Sequence, residues 1–219
     1  MCTGRWSKVL ADRVGALNCI EPSSAIDVAR QNLSSLSNVK FYQAHIDDDV
    51  LPEASQDFGV VLGVLHHLPD PLAGVKSCVR MLKPGAPLLV YIYYALDDRP
   101  WVYGLAWKLT NLLRSIISRF PSRAKKVCTD LIALVIYYPL ARFCYLCEKF
   151  HLDSSGVPLH YYRTHSLYTM RTDSRDRFGT PLEHRLTRAE IDSLLRTAGL
   201  GEIRFSDDPP YWCAVGLKQ

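Results

Sequence analysis

Residues 57–94 read DFGVVLGVLHHLPDPLAGVKSCVRMLKPGAPLLVYIYY, and this stretch decides the fold of the chain. Its first and last segments, residues 58–63 and 88–94, are short apolar runs of the kind that form strands buried on both faces of a sheet. Between them, Asp70 precedes Pro71. This pair predicts a helix N-terminus, because aspartate caps the first turn and proline needs no N–H donor there. The pattern therefore predicts a βαβ unit with parallel strands and a right-handed crossover.

The same stretch carries a family resemblance. The loop GVLHHLPDP at residues 63–71, the helix after it and the turn MLKPGA at residues 81–86 resemble the fourth-to-fifth-strand region of class I S-adenosylmethionine-dependent methyltransferases. More narrowly, they are similar to the small-molecule branch that includes the quinone-biosynthesis methyltransferases. The resemblance implies an α/β fold with a Rossmann-like, doubly wound, mostly parallel sheet and an antiparallel C-terminal strand. It also implies S-adenosyl-L-methionine as the cofactor.

The composition fits one globular domain with an inserted lobe. The 219 residues are 48% hydrophobic, and the formal net charge of +4 is too small to indicate nucleic-acid binding. Seven scattered cysteines, an odd number, are typical of reduced thiols, so we expect a cytoplasmic protein. Cys144 and Cys147 form a single C-x-x-C, which predicts core packing and no metal site because a second pair is lacking.

The N-terminal segment begins directly with a helical pattern that places Trp6, Val9, Leu10 and Val14 on one side. In the family, a first strand and a glycine-rich turn come before this helix. We therefore expect that the first strand is missing, because the true start lies upstream or because the sequence is a fragment. Thr3 and Gly4 match only the last part of the glycine-rich turn.

Two further strands are predicted at residues 17–20 and 39–43, and Glu21 follows the first of them. A carboxylate at the carboxyl end of a strand can accept hydrogen bonds from both ribose hydroxyls, although a solvated loop charge is the simpler interpretation of such a residue alone. In the family the ribose-binding acid occupies this position, and Ile46 and Asp47 fall where relatives contact adenine. The residues that the resemblance assigns to the cofactor are Thr3, Gly4, Arg5, Glu21, Pro22, Ile46, Asp47, Gly63, Val64 and Leu65.

The catalytic candidates are His66 and His67. Methyl transfer from a sulfonium needs little from side chains, since most of the acceleration can come from positioning. For a hydroxyl acceptor, one of the two histidines could take the proton, because imidazole titrates near neutral pH. We place His66 first, and packing or helix capping is the alternative role for either. Weaker candidates for the same pocket are Tyr161, Tyr162, His165 and Tyr168.

The composition changes between residues 97 and 170. Apolar residues predict helices over residues 101–117 and 131–146, the second kinked by Pro139, and basic residues cluster at the connection. Three interpretations compete: a lid over a hydrophobic substrate, which we prefer, a membrane-surface element and a dimer interface. A transmembrane span is not expected, because the apolar run falls short of about 18 residues and carries proline and arginine. The predicted organisation is a cofactor-binding core of residues 1–96 and 171–219 with an inserted helical lobe of residues 97–170.

The C-terminal part predicts a helix and a hairpin. Thr187 and Glu190 form a capping box, and strands at residues 202–205 and 212–217 are joined so closely that they should be antiparallel. A dehydrogenase-type Rossmann sheet would lack this reversed strand. The polar segment of residues 171–183 fits either a pocket wall or a surface loop.

Taken together, these patterns predict an S-adenosylmethionine-dependent methyltransferase of bacterial type that acts on a small, hydrophobic or sugar-containing molecule by O- or C-methylation. The alternative is a truncated, inactive methyltransferase-like remnant or scaffold, and NAD-dependent oxidoreduction is disfavoured. Peripheral contact with the inner face of the membrane through residues 101–150, or a homodimer, would follow from the two other interpretations of the lobe.

Overall fold

A computed structural model of the chain describes residues 4–48, 50–93, 95, 101–207 and 212–219, with side chains from residue 107 onward in the helix that begins at Trp101. The chain forms two compact units: an α/β unit of residues 1–97 and 182–219, and a helical unit of residues 98–181. The sequence prediction ended the lobe at residue 170, whereas the structure ends it at Pro181. The reason is that a helix spanning residues 167–179 packs inside the helical unit.

Within the described residues, the α/β unit contains six strands in two sheets. They are β1 (Leu17–Ile20), β2 (Val39–Tyr42), β3 (Gly59–Leu62), β4 (Pro87–Tyr91), β5 (Leu200–Phe205) and β6 (Cys213–Lys218). Strands β1 and β2 pair in parallel, and the second sheet has the order β3-β4-β6-β5. Strands β3 and β4 are parallel, while β6 runs antiparallel to both of its neighbours. The predicted parallel pair of the βαβ unit and the reversed final strand are therefore confirmed, and the missing first strand stays a prediction.

The two sheets approach each other at the amino-terminal ends of β1 and β3. The Asn18 side-chain amide in β1 donates to Gln56 Oε1 at 2.9 Å, and Gln56 lies just before β3. Phe58 packs against a small buried cluster that includes Leu17 and Cys19 of β1. These contacts place β1 beside β3 within the same unit.

Four α-helices accompany these strands in the described part of the unit: α1 (Arg5–Ala11), α2 (Ala25–Asn32), α3 (Pro71–Met81) and, after the helical unit, α8 (Arg188–Thr197). Asp70 Oδ1 caps α3 by accepting from the backbone N–H groups of Leu72 and Ala73 at 2.9 and 3.1 Å. Thr187 and Glu190 form the predicted capping box of α8. Local capping chemistry thus fixes where both helices begin.

Helix α1 packs inward through only part of the side that the sequence predicts. Trp6 and Val9 are 48% and 49% exposed, whereas Ser7 and Ala11 are buried. The Cys19 thiol in β1 lies 3.5 Å from the Ser7 hydroxyl and donates to it. Small residues face the strand because the helix lies close to it. Leu10 and Val14 of the predicted side pack against the same buried cluster, whereas Trp6 and Val9 point outward.

The main core of the α/β unit lies between the second sheet and helices α3 and α8. Leu88 and Val90 of β4 and the following Ile92 are almost fully buried. Side chains from α3, α8 and the neighbouring strands complete this core, among them Val75, Val79, Ile191, Leu195, Leu200 and Ala214. Burial on this scale is the main stabilising contribution, and it holds the loops at the strand ends in place.

The helical unit contains α4 (Trp101–Ile117), α5 (Ser122–Ile132), a π-helical turn (Ala133–Tyr137), α6 (Tyr138–Lys149), a 3₁₀ helix (His160–Thr164) and α7 (Leu167–Gly179). Residues 122–149 run as one continuous helix of 28 residues with a mean hydropathy of 1.5 over its most apolar window. By length and composition alone, this helix is long and apolar enough to cross a membrane. The expectation that the apolar run is too short is therefore wrong. The π-helical turn just before Pro139 accommodates the missing N–H and lets the helix continue.

Helix α7 packs against α5 through both apolar and charged contacts. Met170 and Phe178 of α7 share a buried cluster with Ile117, Ala133 and Tyr137. Asp130 of α5 forms ion pairs with Arg171 at 2.6 Å and Arg175 at 3.1 Å on α7. The polar segment 171–183, predicted to be a loop or pocket wall, is therefore mostly helical up to Gly179.

Candidate functional site

Glu21 is held at the carboxyl end of β1. Its backbone N–H donates to the Tyr42 carbonyl at the end of β2 at 3.1 Å. The residue is only 8% exposed, and its Oε1 accepts from the Ser23 N–H at 3.2 Å and the Ser23 hydroxyl at 2.6 Å. Burial acts to raise the pKa of Glu21, but donors around the carboxylate, Ser23 among them, outweigh it and lower the pKa overall. Glu21 is therefore a largely buried carboxylate that is ionised at neutral pH.

The loops that follow β2 and β3 meet at Gly74 of α3. A Cβ built on Gly74 would lie 3.8 Å from Ile46 Cγ2 and 3.2 Å from Leu65 Cδ2. Ile46 is half-buried against the main core, while Asp47 is exposed. Because Glu21 bonds to the end of β2, from which the chain leads to Ile46, the structure brings these predicted cofactor residues to one edge of the strands.

Gly63 turns the chain away from β3 at this edge. Its φ of 70° lies in the left-handed region, which glycine adopts without strain, and its N–H donates to the Tyr91 carbonyl of β4 at 3.1 Å. A side chain at Gly63 would meet no neighbouring atom within 4 Å, so the backbone conformation is what favours glycine. The half-buried Val64 follows, and Leu65, fully buried, begins a 3₁₀ turn that continues to His67.

His66 is completely buried and stacks on Tyr93, with ring centroids 3.8 Å apart and an interplanar angle of 22°. Neither ring nitrogen has a hydrogen-bond partner among the described protein atoms. Burial, together with the neighbouring His67, Arg185 and His184, lowers the pKa of His66 to about 3. Both properties weaken His66 as a proton acceptor in this conformation, and its catalytic role stays a prediction.

His67 is oriented differently. Its Nδ1 lies 2.8 Å from the Leu182 carbonyl oxygen, a contact in which Nδ1–H donates. In the neutral ring, Nε2 is then the basic nitrogen, because the tautomer is set by the bond at Nδ1. The Nε2 atom of His67 is buried, as are both ring nitrogens of His66, so the catalytic role of His67 also stays a prediction.

The segment that holds these histidines was not predicted from the sequence. Residues 182–186 run alongside them: the His184 N–H donates to the His66 carbonyl at 2.8 Å, and the Leu186 N–H donates to the Tyr93 carbonyl at 3.2 Å. The available indication in the sequence was a run of polar residues between two apolar elements, which is compatible with a pocket wall. Nothing local in the sequence indicates that residue 184 returns to residue 66.

A buried ion pair lies in the same segment. Arg185 and Glu183 are 2.8 Å apart, with side chains only 11% and 4% exposed. The Arg185 guanidinium carbon lies 5.8 Å from the centre of the Tyr93 ring. A charged pair this deeply buried is expensive to desolvate, so the attraction between the two charges is offset and adds little to stability.

The remaining predicted residues are distributed as follows. Gly4 is buried at the start of α1 with a φ of 84°, and a Cβ there would lie 3.0 Å from Leu33 Cδ1, so glycine allows a close approach to α2. Arg5 is exposed above the Trp6 ring, and Pro22 is exposed beside Glu21. Thr3 lies outside the described residues.

The weaker pocket candidates belong to the helical unit. Tyr161 and Tyr168 are 64% and 77% exposed. Tyr162 packs near Tyr137, and burial raises the pKa of its phenol far above the usual value. His165 lies 4.5 Å from Tyr161 between ring centroids, and its carbonyl accepts from Arg142. These residues form part of the packing within their own unit.

The residues at the strand edge fit an adenosine group chemically. The ionised Glu21 complements two hydroxyl donors, as in ribose. Half-buried Ile46 offers apolar surface to a flat ring, and the exposed Asp47 carboxylate is an acceptor for an exocyclic amino group. The described residues thus supply suitable partners for a nucleoside cofactor.

Comparisons with known proteins show what the chain is similar to. Residues 1–90 match a family model described as a methyltransferase domain. No curated protein sequence gives a match.

Several solved structures share the fold. The YcgJ protein from Bacillus subtilis aligns with a TM-score of 0.55 and 13% identity, over 93% of this chain and 60% of that one. A putative methyltransferase from Bacillus halodurans gives 0.54 and 12%, over 93% and 62%. An S-adenosylmethionine-dependent methyltransferase from Methanosarcina mazei gives 0.54 and 17%, over 99% and 88%. The chain thus spans about three fifths of the first two structures, and at these identities the likeness shows a common Rossmann-like α/β fold.

Proposed function

We propose that this chain is a class I S-adenosylmethionine-dependent methyltransferase that transfers a methyl group to a small-molecule acceptor by O- or C-methylation, as the match of residues 1–90 to a methyltransferase-domain model and the shared fold support. The observation that best supports the proposal is the placement of Glu21. It is a buried, ionised carboxylate at a strand end, on the same edge as Ile46 and the loop of residues 63–65. The acceptor class that we propose is a small hydrophobic or sugar-containing molecule.

S-adenosylmethionine, when bound, supplies a methyl carbon already activated by its sulfonium. The protein's task is therefore positioning, which can contribute up to roughly 7–11 kcal/mol in favourable cases. In this proposal Glu21 holds the ribose hydroxyls, Ile46 and Asp47 hold the adenine, and Gly63–Leu65 line the edge. His67 holds a proton of a hydroxyl acceptor at Nε2, since its Nδ1–H is already donated to the Leu182 carbonyl.

Isothermal titration calorimetry with S-adenosylhomocysteine tests the cofactor site. In Glu21→Gln the loss of charge-assisted bonds, about 1.5–3 kcal/mol, should weaken binding roughly 10- to 150-fold. The matched control is Asp57→Asn, which removes an exposed carboxylate just before β3 that pairs with Lys83 at 2.7 Å. This control should bind as tightly as the wild type.

An affinity unchanged by Glu21→Gln would remove Glu21 from the site. Absence of binding by the folded wild-type chain would instead favour the alternative, a methyltransferase-like remnant or scaffold without catalytic activity. If the cofactor binds, incubation with labelled S-adenosylmethionine and candidate acceptors, followed by mass spectrometry, identifies the methylated class.

A further inference from the structure

Charge is unevenly distributed between the two parts of the chain. Residues 101–181 contain twelve lysines and arginines against five acidic residues, a net charge of +7. The whole chain has a net charge of +4, so the remaining residues together carry −3. A mildly basic protein therefore contains one strongly basic unit, which favours an anionic partner for that unit.

The same unit exposes apolar residues at helical spacing. On α4, Leu109, Leu112, Leu113 and Ile116 follow the i, i+3, i+4, i+7 pattern that normally faces a core, yet they are 39% to 59% exposed. The continuous helix of residues 122–149 carries a second such surface, the apolar helix face, whose members are each more than half exposed. They are Val127, Leu131, Leu134, Val135, Phe143 and Leu146.

The charges within this helix avoid the apolar helix face. Between residues 127 and 147 the charged residues are Asp130 and Arg142. Asp130 pairs with Arg171 and Arg175 on α7, and Arg142 donates to the carbonyls of residues 163 and 165. Both are engaged on the packed side of the helix, so the outward side is uncharged along its length.

Basic residues mark both ends of the apolar helix face. Arg123 and Lys126 are exposed just before Val127, and Lys149 is exposed next to Phe150, which is itself 73% exposed. None of these three cations takes part in an ion pair among the described residues. An apolar strip flanked by cations is the arrangement of a helix that lies in a membrane interface.

We propose that the helical unit binds the surface of an anionic lipid bilayer, with the apolar helix face inserted below the headgroups and the flanking cations on lipid phosphates. The inference does not depend on the proposed methyl transfer, because it uses only residues of the helical unit.

Two other roles of the apolar helix face, as a dimer interface and as part of a membrane-spanning helix, fit the observations less well. A symmetric dimer through this face would bring together two units of charge +7, which repel each other. A membrane-spanning helix would have to take Asp130 and Arg142 to mid-membrane together with the charged α7, or break their contacts. A helix lying in the interface keeps every described contact.

Vesicle flotation of the full chain tests the proposal. We expect binding to phosphatidylcholine vesicles that contain roughly one third phosphatidylglycerol to be at least roughly tenfold tighter than to pure phosphatidylcholine, and to weaken with added salt. Leu131→Ser combined with Val135→Ser should reduce binding roughly tenfold. The matched control is Val9→Ser combined with Val28→Ser, which changes two apolar residues of the α/β unit that are 49% and 43% exposed. It should bind like the wild type.

A second variant, Arg123→Glu with Lys126→Glu, separates the charge from the apolar contribution and should also reduce binding roughly tenfold. Circular dichroism verifies that each variant keeps its helix content. Equal binding to neutral vesicles, no binding to either, or a salt-independent dimer that excludes vesicles would overturn the proposal. Retention in the membrane after alkaline carbonate extraction would overturn it as well, because it would indicate a spanning helix.

Discussion

His66 lies completely inside the α/β unit against the Tyr93 ring, and the fold accommodates its uncharged form. Burial holds the pKa of His66 at about 3, whereas the unfolded chain gives it the ordinary value of about 6.5. As the pH falls below about 6.5, the unfolded state therefore takes up a proton that the folded state does not. The contribution of His66 to the free energy of unfolding is therefore complete above about pH 6.5, and it decreases as the pH falls from there toward about 3.

The expected size of this effect is about 2 kcal/mol of unfolding free energy lost between about pH 7 and pH 5 from His66 alone. His66→Phe keeps a flat ring against Tyr93 and removes the titrating group, so this part of the pH dependence should vanish. Urea unfolding at both pH values measures it, with His45→Asn, an exposed histidine, as the control. If His66→Phe loses as much unfolding free energy as the wild type between about pH 7 and pH 5, His66 does not contribute to the pH dependence and its pKa in the folded state is not lowered.

At the scale of single elements, the N-termini of α2 and α3 differ in their caps. Asp70 accepts hydrogen bonds from two backbone N–H groups at the start of α3, whereas the Ser24 side chain forms no capping bond at the start of α2. Asp70→Ala should therefore lower the free energy of unfolding by about 0.5–2 kcal/mol, and Ser24→Ala should leave it nearly unchanged. Chemical denaturation of the two variants side by side makes the comparison. Equal losses would mean that helix propensity, and not the cap, decides.

Elements with strong local signals were predictable. The cap at Asp70, the capping box at Thr187 and the short apolar runs placed α3, α8 and the six strands of the described residues to within a few positions. The predicted side of helix α1 was only partly right, because the pattern groups Trp6 and Val9 with Leu10 and Val14 but does not show that Ser7 must fit against Cys19. Periodicity predicts a face, while the closeness of the neighbouring strand decides which face is buried.

At the scale of the whole molecule, the predictions failed where distant segments come together. The polar stretch after residue 170 shows weak apolar periodicity, so its packing against α5 through Asp130 was not predictable. The return of residues 182–186 to His66 and His67 is likewise a long-range pairing. At the candidate site, strand ends and an acidic residue indicated the edge, but only the structure revealed that His66 is enclosed while His67 is held through Nδ1.

The buried clusters of the molecule each contain residues of one unit, and this predicts that the units lose stability separately. Met170→Ala removes a fully buried side chain from the helical unit, and Leu88→Ala removes one from the α/β unit. Each should cost about 2–5 kcal/mol, since a cavity adds to the lost transfer energy. In hydrogen–deuterium exchange, Met170→Ala should lose protection within residues 101–181, and Leu88→Ala within the strands of the α/β unit. Loss of protection across both units in either variant would show that they unfold as one cooperative body, and the separate cores would then not correspond to separate stabilities.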